Sequence, residues 1–175
     1  MKINLRPAAA ADEAFLWLLY DTSFPPEEQR PWPALWQPSR CGEPALLTIE
    51  ADGVTAGMLS WWNLPSAVYI EHFAVSPDLR GSGIGAQALR RFIEAYCADK
   101  PLVLEVEPPL ESEPVTMRRV GFYERAGLTL LPHHYIQPPY TQDLPSVELK
   151  LMSTDPTLPA QPVSTELHTR VYGVR

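Results

Sequence analysis

The sequence contains few cysteines and no long apolar segment. Its two cysteines, Cys41 and Cys97, are far apart and match neither a metal-binding nor a redox spacing, so we expect free thiols in a reducing compartment. The longest apolar run, residues 14–20, is too short to cross a bilayer, and residues 2–6 lack the long apolar region of a signal peptide. The sequence therefore predicts a cytoplasmic protein without a membrane-spanning segment.

Basic residues are also in the minority. The chain has 14 lysines and arginines against 21 aspartates and glutamates, and its net charge of −7 argues against broad nucleic-acid binding. A length of 175 residues suits one domain with a sizeable core. Prolines, by contrast, are abundant at 20, and we interpret their clusters as loops, at residues 25–44, 101–114, 132–145 and 156–162.

The apolar periodicity predicts a mixed sheet with helices on both faces, an α/β (α+β) chain of order β-α-α-β-β-β-α-β-α-β-β. We expect strands at residues 3–7, 46–50, 54–62, 67–75, 102–107, 128–131 and 147–152, and helices at residues 12–22, 34–36, 83–98 and 115–126. A single domain over residues 1–152 precedes a proline- and threonine-rich tail, residues 153–175. The sequence leaves open whether the tail docks or frays.

A glycine-rich turn joins the strand at 67–75 to the helix that follows it. Glycines 81, 83 and 85 alternate with other residues, which lets a bulky anion approach the main chain and permits positive φ angles. The helix directs its free N–H groups and the positive end of its dipole at the same place, and Arg80 adds a forked cation. This combination predicts a site for a diphosphate.

Two motifs resemble the GNAT superfamily of N-acetyltransferases. Arg80, Gly83 and Gly85 form the pattern Arg-x-x-Gly-x-Gly, which resembles the family's acetyl-coenzyme A loop, and residues 121–128 resemble the end of its last helix. Departures at Thr116, Arg119 and Leu128 concern details of cofactor binding. The resemblance covers roughly residues 2–152, and the order of elements is also GNAT-like.

The resemblance implies that acetyl-CoA is a co-substrate and that no metal is used. The pantetheine arm should lie along the main chain at residues 73–75, in a gap beside the strand at 102–106. The residues expected to bind the cofactor are Phe73, Ala74, Val75, Arg80, Gly81, Ser82, Gly83, Ile84 and Gly85.

Acetyl transfer to an amine requires a base and an acid, because a primary amine with a pKa of roughly 10 is almost fully protonated at neutral pH. Within the family motif, Tyr123 is the expected acid for the leaving thiolate, and packing is its alternative role. Strand periodicity places Tyr69, Glu71 and Phe73 on one face and His72 on the other. By resemblance Glu71 is the expected base, with an ion pair to an arginine as the alternative, and Glu107 is held in reserve.

The acceptor pocket, by resemblance, comes from residues 24–36 and 133–140. These segments are rich in proline and aromatic residues, so they could form walls for an apolar or cationic amine. The expected substrate-binding residues are Phe24, Glu28, Trp32, Tyr135 and Tyr140; packing of the aromatics on the core is the alternative. His133 and His134 lack a third ligand, so no metal site is expected.

We therefore expect an acetyl-CoA-dependent N-acetyltransferase that acts on a small-molecule amine by direct attack. Acetylation of a protein N-terminus or a lysine, or a non-catalytic acetyl-CoA sensor, are the alternatives. Neither nucleic acid nor a membrane is an expected partner, and a homodimer is left open.

Overall fold

The computed structural model describes residues 1–36 and 44–174, so Cys41 lies outside the described residues. The strands are β1 (Ile3–Pro7), β2 (Ala45–Ala51), β3 (Val54–Asn63), β4 (Val68–Val75), β5 (Leu102–Val106), β6 (Thr129–Leu130), β7 (Tyr135–Gln137) and β8 (Val147–Ser153). The helices are α1 (Glu13–Ser23), α2 (Trp32–Leu35), α3 (Ile84–Tyr96), α4 (Pro114–Arg125) and α5 (Ala160–Glu166).

The strands form one mixed sheet, which confirms the predicted fold class. Its order is β1-β2-β3-β4-β5-β8-β6, and β7 pairs with the remaining part of β8. The β4–β5 pair is parallel and all the others are antiparallel. The strand β7 was not predicted, because it lies within the proline-rich segment 132–145 that the sequence analysis treated as a loop.

Helices cover both faces of the sheet. Helices α3 and α4 pack on one face, here called the α3 side, where the helix α3 buries Ile84, Ala88, Leu89 and Phe92 at helical spacing. Helix α1 packs on the opposite face, here called the α1 side. None of the helices in the described segments combines the length and apolar character that crossing a membrane would require.

The segment after β8 docks on the sheet, which answers the question that the sequence left open. Helix α5 continues into a π-helical turn, Leu167–Val171, and its apolar side chains Val163, Leu167 and Val171 are buried. They pack in one cluster with Tyr69 of β4. The predicted domain boundary at residue 152 stays a prediction.

A β-bulge interrupts β4 at Glu71. Ser60 of β3 pairs with His72, and its neighbour Trp61 pairs with Ile70, so Glu71 is an extra residue in this register. The bulge shifts the alternation of side chains: Ile70 and Phe73 both pack on the α3 side. The predicted faces of β4 were therefore wrong, because the expected alternation assumed a strand without a bulge.

Strands β4 and β5 separate just after this bulge. Their parallel ladder joins residues 68–70 to residues 102–104 and, within the described chain, ends there. Beyond Ile70, β4 remains paired with β3 up to Val75, while β5 continues beside β8 up to Val106. The two strands therefore diverge and leave one edge of each open to a cleft.

Candidate active site

The cleft between the diverging strands has a volume of about 500 Å³. One wall is β4 from Ile70 to Val75, and the other is β5 from Leu104 to Glu107. The loop after α1 and the helix α4 close its ends, with Phe24, Pro25, Glu28, Arg119, Phe122 and Tyr123 among the lining residues. This is the gap in which the sequence analysis places the pantetheine arm.

The glycine loop lies at the end of the β4 wall. Arg80 lines the cleft, and residues 80–83 are exposed, so a ligand can reach their main chain. Gly81 and Gly83 have φ angles of 78° and 83°, which favour glycine strongly. Gly83 is the N-cap of α3, whose first amides have no partner within the helix. The geometry fits a diphosphate at this position.

Tyr123 also lines the cleft, from its position near the end of α4. It is 9% exposed, and this remaining exposure lies at the cleft, which Tyr123 lines. Its hydroxyl makes no hydrogen bond with another described residue. Burial raises the pKa of Tyr123 to about 12, although Arg119 opposes the shift, so the phenol keeps its proton at neutral pH.

The predicted base Glu71 is fully buried and accepts three hydrogen bonds. The donors are Nε of Arg30 at 2.8 Å, Nε1 of Trp62 at 2.9 Å and the hydroxyl of Tyr140 at 2.8 Å. Burial opposes the charge of Glu71, but the Arg30 cation and the donated hydrogen bonds hold its pKa below the usual range. These contacts correspond to the ion-pair alternative.

Arg30 connects the loop after α1 to the end of the chain. Its Nη2 donates to the carbonyl oxygen of Val171 at 2.8 Å, and its guanidinium lies over the rings of Trp62 and Tyr140, 5.1 and 5.0 Å from their centroids. Side-chain exposure is only 13% for Arg30 and zero for its partner Glu71. This ion pair is therefore an interior one.

His72 fixes the turn that carries Glu28. Its Nε2 is 2.9 Å from the carbonyl oxygen of Glu28, which can only accept, so Nε2 carries the proton. Nδ1 then accepts from the hydroxyl of Ser60 at 3.0 Å. Because burial lowers its pKa, His72 is neutral at neutral pH.

Two carboxylates of the cleft differ in their partners. Glu107 at the end of β5 forms an ion pair with Arg119 of α4. The Glu28 carboxylate has no hydrogen bond or ion pair with any other described residue. Burial and the nearby charges of Glu107 and Glu105 raise the pKa of Glu28 to about 7.

A third carboxylate, Glu105, is surrounded by tyrosines. It accepts hydrogen bonds from Tyr69 at 2.8 Å, from Tyr172 at 2.7 Å and from Tyr135. Burial still raises the pKa of Glu105 to about 7, against the effect of these donors. This cluster joins β4, β5, β7 and the end of the π-helical turn behind the cleft.

The predicted acceptor residues divide into two groups. Phe24 and Glu28 line the cleft, whereas Trp32, Tyr135 and Tyr140 do not. Trp32 stacks on Trp36, and the two tyrosines direct their hydroxyls at buried glutamates. Sequence reasoning missed Arg30, Glu105 and Tyr172, and the one local signal was the polar pair Glu71-His72 within an apolar strand.

The described residues contain no group of three or more His, Cys, Asp or Glu side chains that could hold a metal ion. His134 lies 3.7 Å from Glu148 at the surface, and both side chains are more than half exposed.

Comparison with known proteins decides the family. Residues 13–128 match the model of the acetyltransferase (GNAT) family. The chain belongs to the GNAT family. A solved structure from Bacteroides thetaiotaomicron, assigned to the same family, is 34% identical, covers 98% of this chain and 99% of its own, and has a TM-score of 0.86.

Two further acetyltransferases match over a smaller share of the sequence or at lower identity. YjbC of Bacillus subtilis (strain 168), assigned as an acetyltransferase, is 32% identical over 68 residues, which are 39% of this chain and only 34% of YjbC. Spermidine N-acetyltransferase from Vibrio cholerae, solved with CoA and spermine, is 13% identical, with a TM-score of 0.59 over 86% of this chain and 94% of its own. This second likeness shows the fold alone.

Membership of the GNAT family confirms the resemblance drawn from the two motifs, and it indicates an acetyl-transferring enzyme. The roles of individual residues stay predictions.

Proposed function

We propose that this protein transfers the acetyl group of acetyl-CoA to a primary amine, with a small molecule as the acceptor. The observation that carries the proposal is the cleft between β4 and β5, because Arg80 of the exposed glycine loop and Tyr123 of α4 both line it. The loop residues 80–85 receive the diphosphate, and the open edge of β4 at residues 73–75 faces the pantetheine arm.

Transfer proceeds by direct attack. The neutral amine nitrogen forms a bond to the thioester carbonyl carbon, and the carbon–sulfur bond breaks as the tetrahedral intermediate collapses. Tyr123 donates its hydroxyl proton to the departing sulfur. The raised pKa of Tyr123 supports this role, because a phenol that stays protonated can act as an acid throughout the working pH range.

The base is a carboxylate at or beside the cleft. Glu71 and Glu107 are the candidates drawn from the sequence, and both line the cleft. Glu71 accepts hydrogen bonds from three donors. These bonds favour a structural role for Glu71, in which it holds Arg30 and the loop after α1 in place. The geometry of the cleft adds Glu28 to these candidates.

The acceptor binds, in this proposal, beside Glu28. The part of the cleft near Glu28 is bounded by Phe24 and Pro25 and by the neighbouring β5 wall. An amine that enters here approaches the thioester from the side opposite the glycine loop. The aromatic residues Trp32, Tyr135 and Tyr140 support this wall from behind, through contacts within the protein.

A thiol-release assay tests the proposal. Purified protein, acetyl-CoA and a panel of small amines and peptides are combined, while calorimetry measures the binding of acetyl-CoA. We expect turnover with small amines. Turnover only with peptides would favour protein acetylation, and binding without turnover would favour a sensor. Absence of binding would contradict the whole proposal.

The variant Tyr123→Phe tests whether Tyr123 acts as the acid. Because it removes only the hydroxyl, we expect kcat to fall by about 10²-fold or more while the affinity for acetyl-CoA stays unchanged. Tyr96→Phe on α3, outside the cleft, is the control for the loss of a tyrosine hydroxyl. Equal kinetics of Tyr123→Phe and the parent protein would remove Tyr123 from the mechanism.

A further inference from the structure

We propose that Glu28 is the base that takes the proton from the acceptor amine. This inference rests on the proposed acetyl transfer and assigns one of its steps to a residue that the sequence analysis considered only for substrate binding. Three independent features of Glu28 support it: its fixed position, its lack of a partner and its electrostatic surroundings.

The first feature is that the main chain of the turn that carries Glu28 is fixed, and that Glu28 lines the cleft. Glu28 ends the short 3-10 turn Pro26–Glu28, and its carbonyl oxygen accepts from Nε2 of His72 at 2.9 Å. The preceding carbonyl, of Glu27, accepts from Nε2 of Gln137 at 3.1 Å. Two buried side chains, from β4 and β7, therefore hold this turn against the sheet. The main chain of Glu28 is thus held beside the cleft, which this residue lines.

The second feature is that the other acidic groups already have partners. Glu71 accepts three hydrogen bonds, Glu105 accepts from three tyrosine hydroxyls, and Glu107 is paired with Arg119. Donors within the protein therefore already occupy oxygens of these three carboxylates. Glu28 has no such bond within the described part of the chain, so its oxygens are available to an N–H group of the substrate.

The third feature is the set of charges that faces Glu28. On β5 these are Glu105 and Glu107, on α4 Arg119, and on its own turn Glu27. Burial first, and then Glu107 and Glu105, favour the protonated form of Glu28, with Arg119 opposing them. Its pKa of about 7 is matched to proton transfer near neutral pH. The same negative surroundings attract an ammonium group.

Glu28 takes the first of the two protons that the acceptor nitrogen loses. One N–H bond of the ammonium breaks, its electron pair stays on nitrogen, and the proton passes to the Glu28 carboxylate. The free amine then attacks the thioester carbon, and the departing sulfur takes the proton of Tyr123. The nitrogen of the new amide loses its second proton, which returns the Tyr123 phenolate to the phenol. Glu28 releases its proton to water, so the reaction yields the amide, free coenzyme A and one proton.

The test compares two small acceptors in the parent protein and in Glu28→Gln. Propylamine is almost fully protonated at neutral pH, whereas aminoacetonitrile, which is much less basic, is already a free base. If Glu28 is the base, Glu28→Gln lowers kcat for propylamine at neutral pH by about 10²-fold and moves the acidic limb of its pH–rate profile upward, toward the pKa of the amine itself. The loss with aminoacetonitrile is expected to stay below about 10-fold, because this acceptor needs no initial deprotonation.

Further variants distinguish a failure of the proposal for Glu28 from a failure of the proposed acetyl transfer. Glu124→Gln, an exposed position on α4, makes the same change of charge and should leave both profiles unchanged. A rise in KM with unchanged kcat in Glu28→Gln would show that Glu28 only binds the substrate. The same upward shift of the acidic limb in Glu107→Gln or Glu71→Gln, and not in Glu28→Gln, would assign the base to that residue. Either result overturns the inference and leaves acetyl transfer intact. No turnover of either amine by the parent protein would contradict both.

Discussion

Removing the Arg30 side chain should destabilise the protein strongly. In Arg30→Met, the Glu71 carboxylate remains buried among Trp62 and Tyr140 without its cation. Breaking a buried ion pair from one side typically costs about 3–5 kcal/mol. The low exposure of both partners places this pair in that class, whereas an exposed pair would be worth at most about 1 kcal/mol.

Urea denaturation measures this cost. With an m-value of about 2 kcal/mol/M, a loss of about 3–5 kcal/mol moves the midpoint down by about 1.5–2.5 M. Arg91→Met, at an exposed position on α3, is the control and should change stability by less than about 0.5 kcal/mol. Adding Glu71→Gln to Arg30→Met removes the unpaired charge, and we expect it to recover about 2 kcal/mol.

The pH dependence of the stability lost in Arg30→Met provides an independent check. The pKa of Glu71 is below its usual range in the parent protein. The Glu71 carboxylate therefore adds to the free energy of unfolding at pH values above its pKa in the unfolded chain. This stabilisation is lost as the pH falls through its pKa in the folded protein. Without Arg30 the buried carboxyl prefers its neutral form. The difference in stability between the parent protein and Arg30→Met should therefore shrink as pH falls below about 5. A cost below about 1 kcal/mol at pH 7, or a gap that widens in acid, would refute the interior ion-pair argument.

Two further substitutions test the packing behind the site. In Gly57→Ala the new Cβ would lie 2.4 Å from the carbonyl oxygen of Ala74, so we expect a loss of about 1–3 kcal/mol in urea denaturation, and a neutral result would contradict the close approach of β3 and β4. Tyr172→Phe removes one hydroxyl donor from Glu105 and should cost about 1–3 kcal/mol at pH 8. Because the pKa of Glu105 is raised to about 7, this carboxyl is mostly protonated at pH 5, where the cost should be smaller; equal costs at both pH values would show that Tyr172 acts only through packing.

Local patterns predicted most of the fold. The glycines at 81, 83 and 85 indicated the turn before α3, and the apolar spacing from Ile84 onward indicated the helix itself. Asp52-Gly53, a pair typical of hairpin turns, likewise lies between β2 and β3. In each of these cases the deciding interaction lies within a few residues of the chain, so the sequence pattern is sufficient.

The bulge at Glu71 could not be predicted in the same way. Its register depends on how β3 is paired, and its stability depends on Arg30, Trp62 and Tyr140, which are distant in the sequence. Strand periodicity alone placed Glu71 and His72 on opposite faces. Two adjacent polar residues in an apolar strand are compatible with either arrangement, and only tertiary contacts decide between them.

The aromatic residues of the acceptor segments show a related limit. Sequence position identified the segments that surround the cleft, and it correctly indicated Phe24 and Glu28 as residues near it. It could not distinguish a tyrosine that faces the cleft from one that faces a buried glutamate, as Tyr135 and Tyr140 do. That distinction depends on the side chains of β5 and the bulge.

The bond between Arg30 and the carbonyl of Val171 spans 141 residues, and it affects the order of folding. During translation, Arg30 leaves the ribosome long before this acceptor is synthesised. The first four strands can pair in the meantime, but the loop that carries Glu28 gains its last main-chain anchor only when residue 171 emerges. Such distant contacts form late and slowly. A nascent chain stalled before this residue should therefore form the glycine loop while the turn that carries Glu28 still lacks this contact.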